Sequence, residues 1–182
     1  MTKTRAWMTL VLSVCLCAAV SRGARAQAQM PLPYGPSIGL ETARKVAATA
    51  IAEAKKGGWT MAVAVVDVAG ELVYFERLDN TQFASIGVSQ DKARTAVRFK
   101  RPSKAFEDAL VGGRQAILGL PGVVPIDGGI PLIVDGKIIG AIGVSGGTSQ
   151  QDGTCAQAAA DTLGKPPVMA APPPPAKPAP KK

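Results

Sequence analysis

The sequence predicts an α+β domain, an antiparallel sheet with helices packed on it. Three observations lead there. Two pairs of β-rich runs are joined by short turns, Val68-Ala69-Gly70 and Asp135-Gly136, and connections that short make antiparallel hairpins. Helix-period segments separate the hairpins instead of following each strand in turn, as a parallel sheet would require. The chain is 47% hydrophobic but only 4% aromatic, so a core of Ala, Val, Ile and Leu can form.

The first element is SIGLETARKVAATAIAEAKKGG. Ser37 is placed as its N-cap, and Leu40, Ala43, Ala47, Ala50, Ile51 and Ala54 recur at helical spacing as one apolar face. Lys55 and Lys56 suit the negative end of the helix dipole, and Gly57 ends it. WTMAVAVVD and ELVYFERLD form the first hairpin. SIGVSQDKARTAVRFK reads as a helix with Ile86, Ala93 and Val97 inward and Lys92, Arg94 and Arg98 near the rim. Pro102 breaks it, and Ser103 is positioned to cap a shorter helix, KAFEDALV. LGLPGVVPIDGG is irregular, with one extra strand allowed near Val123-Val124. IPLIV and KIIGAIGVSGG form the second hairpin, and a last helix runs from about Gln151 to Leu163. The expected order is α-β-β-α-α-β-β-α.

The ends have a different character. MTKTRAWMTLVLSVCLCAAVSRGARAQAQ combines a basic start at Lys3 and Arg5, an apolar stretch from Met8 to Val20 and a small-x-small site at Ala24-Arg25-Ala26. That is the pattern of a signal peptide over residues 1–26, too short in its apolar part to span a bilayer. It predicts a periplasmic or secreted protein without a transmembrane anchor after cleavage. Residues 27–36 lead into a domain over 37–164, and residues 165–182 form a Pro/Ala/Lys-rich tail expected to be disordered. Eight prolines fall between Pro166 and Pro180, and each lacks the N–H that a helix or sheet needs. With the leader removed, Cys155 is the one cysteine left, so no intrachain disulfide can form. A buried, inert thiol is its expected state.

The formal charge of +8 comes from the ends. Ser37–Gly164 holds 13 of the 21 Lys and Arg and all 13 Asp and Glu. A near-neutral domain with few aromatics carries no nucleic-acid footprint.

GVSGG, Gly143 to Gly147, fits the G-x-S-x-G pattern of a hydrolase nucleophile elbow. That chemistry takes the hydroxyl proton with a base, usually histidine, and the chain has no histidine. Ser145 is therefore expected to end a core strand and to serve hydrogen bonding or turn geometry. Without histidine or a cysteine pair, zinc is not expected, and the scattered Asp127, Asp135 and Asp152 match no calcium loop. No catalytic residue is assigned. Gly146, Gly147 and Thr148 offer backbone N–H groups beside a helix start, as an anion cradle or merely as a close-packing turn. Arg77 and Asp79 leave a strand where they can hold a ligand carboxylate or form a surface ion pair.

In combination, VAVVDVAGELVYFERLD, SIGVSQDKARTA and GGIPLIVDGKIIGAIGVSGGTSQQDGTCAQAA resemble the GlcG/HbpS family of haem-binding-like proteins from about Leu40 to Leu163. The resemblance implies a compact fold similar to profilin and PAS/GAF-type domains, and homo-oligomers built from it. It also implies a small-molecule ligand, with haem as the cofactor that some members bind, and links to iron or redox sensing. The family's usual R-x-D-G-A becomes Arg77-Leu78-Asp79-Asn80-Thr81 here, which loses its Gly and Ala. K-A-x-T-A is intact at Lys92, Ala93, Thr95 and Ala96, G-G-x-P at Gly128, Gly129 and Pro131, and G-A-I-G-V-S-G from Gly140 to Gly146. Asp152 sits where an acidic residue is usual. Arg77, Asp79, Lys92, Gly129, Pro131, Ser145, Gly146, Gly147, Thr148 and Asp152 are thus the expected ligand-site residues. Where members hold haem iron with histidine, this chain has none. The implied function is that of an exported tetrapyrrole-binding protein. The alternatives are an enzyme or accessory factor acting on a small carboxylate or aldehyde-type metabolite, and a purely structural assembly protein.

Overall fold

The structure is a computed structural model and describes residues 31–164. The leader (1–26) and the tail (165–182) read from the sequence lie outside the described residues. The elements follow the expected order: α1 (Leu40–Lys56), β1 (Ala62–Val66), β2 (Leu72–Arg77), α2 (Ala84–Phe99), α3 (Lys104–Val111), β3 (Gly129–Val134), β4 (Lys137–Ser145) and α4 (Ser149–Ala160). Short 3-10 turns at Gln115–Gly119 and Asp161–Leu163 complete them.

The strands make one antiparallel sheet in the order β2-β1-β4-β3. β1 is central and reads AVAVV with every residue buried, because both faces of an inner strand are covered and no polar alternation is needed. Val63 and Val65 enter the cluster formed with α1 and α4, whereas Val66 packs with Ala93, Ala96 and Val97 of α2. The sheet is therefore a middle layer between α1 with α4 on one face and α2 on the other. Asp135 (φ 49°) and Gly136 (φ 71°) turn the second hairpin, the paired positive angles of a type I′ turn.

Two sequence-based details of α1 are corrected. The residue before α1 is Gly39, with no side-chain cap, rather than Ser37. Leu40 is exposed, and Val46 joins the buried alanines in its place. The extra strand near Val123-Val124 is absent. The Thr95 hydroxyl instead accepts from Val124 N (2.9 Å) and donates to Gly122 O (3.3 Å), which pins an irregular segment to α2. Ser103 does not cap α3. Its hydroxyl donates to Ile126 O (2.6 Å) and accepts from Gly129 N (2.9 Å), tying the loop before β3.

The segment before α1 is docked on the domain. β4 runs past the end of β1, where Val66 pairs with Ala141. The edge this exposes is met by backbone bonds from Ile138 N to Pro33 O (2.9 Å), Gly35 N to Ile138 O (2.8 Å) and Ile38 N to Ile139 O (2.7 Å). The Tyr34 hydroxyl donates to Val97 O (2.9 Å), and Lys100 lies over its ring at 4.1 Å. Unpaired edge groups are costly, so this strap completes the sheet.

Candidate functional site

One end of the sheet collects most of the polar side chains singled out in the sequence. β2 ends at Arg77, β4 ends at Ser145, and both pair in register with Ala62 at the start of β1. Register partners share a face, and Ala62 faces α2 because its neighbour Val63 faces α1 and α4. Arg77 and Ser145 thus flank a small alanine on the α2 side, beside the start of that helix.

Ser145 is 4% exposed, and its hydroxyl donates to the Ser85 hydroxyl of α2 at 3.1 Å. Its partner is another hydroxyl, not a base. Arg77 is exposed, with its guanidinium 5.1 Å from the centroid of the Phe83 ring, and Phe83 is itself 81% exposed. The ion pairs among the described residues include neither Arg77 nor Asp79. The Arg77–Asp79 pair considered from the sequence does not form. Asn80, which replaces the usual glycine, has φ 62°, a left-handed conformation that asparagine tolerates better than most residues. The loop therefore keeps the backbone that its lost glycine would supply. Thr81, in place of the usual alanine, buries a hydroxyl with no hydrogen-bond partner.

Lys92 corrects the sequence reading most clearly. Expected near the rim, it is 1% exposed. Its Nζ lies 2.7 Å from Asp152 Oδ2 and donates to Val144 O at 3.1 Å. The other Asp152 oxygen accepts from Gly147 N at 3.0 Å. Burial pushes the Asp152 carboxyl up, and the hydrogen bond from Lys92 pulls it back. Thr148 N donates to Gln151 Oε1 (2.9 Å) while Thr148 Oγ1 accepts from Gln151 N (3.3 Å), closing a capping box on α4. The glycine turn does cradle an anion, and that anion is the protein's own Asp152. The Gly147 and Thr148 amides are committed to hydrogen bonds within the turn, although both residues are exposed.

Gly129 and Pro131 are interior. A Cβ on Gly129 would run into the Lys92 backbone carbonyl, so this glycine makes room for α2. Pro131 pairs with Ala141 in β3. The nominated residues that are exposed are Arg77, Asp79, Gly147 and Thr148, and the amides of the last two are hydrogen-bonded within the turn. Phe83 is exposed with them, Ser85 and Thr81 are buried close by in sequence, and sequence reasoning missed all three. Phe83 precedes α2 without belonging to its apolar face, a local signal. The Ser85–Ser145 contact spans 60 positions and has no local signal.

A cavity of about 500 Å³ lies at the opposite end of β4, between Pro36–Gly39, Thr42 and the hairpin residues Val134, Asp135, Lys137 and Ile139. It contains none of the sequence-nominated residues.

Haem iron is held by histidine, cysteine thiolate, methionine or tyrosine. Histidine is absent from the chain. Met61 is fully buried in the core. Tyr34 donates to Val97 O, and the hydrogen bond to Glu76 pushes the Tyr74 phenol up. Cys155 is buried, and burial pushes its thiol up to about 11. Lys92 is paired. Among the described residues, then, no Met, Tyr or Cys fits as an axial ligand, nor does Lys92. No group of three His, Cys, Asp or Glu that could hold a metal ion occurs among them either.

Residues 38–161 match the family described as "Haem degrading protein HbpS-like". Protein GlcG of Escherichia coli K12 is 41% identical over 93 residues, covering 51% of this chain and 69% of GlcG. A crystal structure of a double mutant of HbpS from Streptomyces reticuli is similar, with a TM-score of 0.66 and 31% identity over 74% of this chain and 92% of that one. A crystal structure of PduOC in complex with haem is similar too, with a TM-score of 0.64 and 26% identity over 70% of this chain and 96% of that one. The fold, the order of the motifs and the extent of the match agree, and the chain belongs to the HbpS-like family.

Proposed function

We propose that this is an exported, oligomeric small-ligand-binding protein whose ligand is a tetrapyrrole of the haem class, held by its ring face and carboxylates. The family supports the ligand class, since similar proteins include one crystallised with haem. The observation that carries the site is the pairing of Arg77 with Phe83. A cation without a carboxylate partner lies over an exposed aromatic ring at the end of the sheet. A planar dicarboxylate needs an apolar face and a cation at its edge, and an exposed arginine matches a carboxylate fork. Lys92 and the Gly147 amide hold Asp152 and so brace the end of β4 that Ser145 closes. Export rests on the leader pattern of Met1–Ala26.

Hemin titration of the purified protein tests the reading. Saturable binding is expected, weakened by Arg77→Ala and unchanged by Lys137→Ala, which alters the cavity at the far end of β4. Binding lost with Lys137→Ala and kept with Arg77→Ala would move the site to that cavity. No saturable change at all would favour the small-metabolite alternative.

A further inference from the structure

We infer that this protein holds its tetrapyrrole without ligating the metal, so that iron-free and metal-substituted rings are ligands on the same footing as haem. The inference rests on the tetrapyrrole reading above and deepens it by naming what the site cannot discriminate.

The argument is a census of donors. A protein that selects haem over the bare ring does so through a bond to iron, and that bond needs a side chain with a free lone pair at the ring face. Each cysteine, methionine and tyrosine among the described residues, the side chains that hold haem iron besides histidine, is spent or withdrawn. Cys155 is fully buried in the cluster that α1 and α4 form with the sheet. There it stays a neutral thiol, whereas a haem ligand must be a thiolate. Met61 lies in the same core. The Tyr34 hydroxyl is turned onto the α2 carbonyl of Val97, and that of Tyr74 onto its own strand neighbour Glu76. The Lys92 ammonium bonds Asp152 and Val144 O, so freeing its lone pair would leave a buried carboxylate unpaired.

What the Arg77 end does offer recognises no metal. The guanidinium reads carboxylates, the Phe83 ring reads a flat apolar face, and the Ser85 and Ser145 hydroxyls are engaged with each other behind them. All of these contacts are the same for hemin, zinc protoporphyrin and iron-free protoporphyrin.

The test is a set of parallel equilibrium titrations of the purified full chain with those three rings, read by quenching of intrinsic tryptophan fluorescence. Dissociation constants within about fivefold of one another are expected, because a real metal–ligand bond would separate them by well over tenfold. Arg77→Ala should weaken all three by the same factor. The hemin complex should show the spectrum of iron carrying water or hydroxide. A larger preference for hemin, a low-spin spectrum of protein-ligated iron, or an Arg77→Ala effect confined to hemin would overturn the inference while leaving the tetrapyrrole reading intact. Failure of all three rings to bind would remove both.

Discussion

Lys92 shows how a single side chain changes meaning between sequence and structure. On a helix it reads as a rim cation available to a ligand, yet it lies between α2, β4 and α4 and ties the three together through Asp152 and Val144 O. Removing it strands a buried carboxylate, a loss of roughly 3–5 kcal/mol. Lys92→Met should therefore lower the midpoint of urea unfolding sharply. At urea-free, fully folded conditions, hemin affinity should stay near that of the wild type. A variant of normal stability with lost binding would return Lys92 to the ligand site. Cys155 makes a second residue-scale prediction, this one about pH. Its thiol, ordinarily near 9.0, is pushed to about 11 by burial first and by the Asp152 and Glu53 charges after it. Above the unfolded value the unfolded chain gives up this proton while the folded chain keeps it, so rising pH favours unfolding. The contribution of Cys155 is nil below about 9, and stability falls as pH rises between about 9 and about 11. Cys155→Ala should flatten that part of the stability–pH curve, measured by chemical unfolding. A slope identical in the two proteins would show that the thiol does not titrate as its burial requires.

At the scale of elements, the packing of α2 on the sheet depends on glycines that carry no chemistry. A Cβ on Gly143 would meet the Ser89 backbone carbonyl and come within 2.7 Å of Ala93 N. The helix backbone lies against the strand, with nothing flexible to yield. Gly143→Ala should cost roughly 1–3 kcal/mol or more in unfolding free energy, as overpacking does. A neutral substitution, measured by thermal unfolding, would mean that α2 can lift away from β4. The element order was legible because hairpin turns and helical periods are local signals, and Asp135-Gly136 announced its turn outright. The glycine run Gly143–Gly147 was legible only as a pattern, since its two roles depend on partners distant in sequence. Gly143 answers to Ser89 and Ala93, and Gly147 to Asp152, whose ammonium partner is 60 residues away. The same limit hid the strap. Pro31–Pro36 has neither period, and it docks because β4 outruns β1, a mismatch visible only once the register is known. Of the candidate site, Arg77 and Ser145 could be read from strand ends. The Ser85 partner could not, because pairing is set by the assembled layers, and the place of Phe83 before α2 gave only a local hint of its exposure.

The whole molecule joins a near-neutral domain to two basic ends. Ser37–Gly164 carries 13 Lys and Arg against 13 Asp and Glu, so little long-range repulsion opposes contact between copies. Val111 and Leu118 are 84% and 69% exposed, apolar side chains available to a contact between copies. Among the described residues no helix is long and apolar enough to cross a membrane. These features support the proposed homo-oligomer, larger than a dimer. The Pro-rich run of 165–182 lies outside the described residues, and its eight prolines each lack the N–H donor that strand addition uses. Deleting residues 165–182 should then leave the oligomer unchanged in sedimentation velocity while lowering the net positive charge. Loss of assembly on deletion would place the tail in the interface. A wild-type protein that sediments as a monomer at every concentration would reject the assembly.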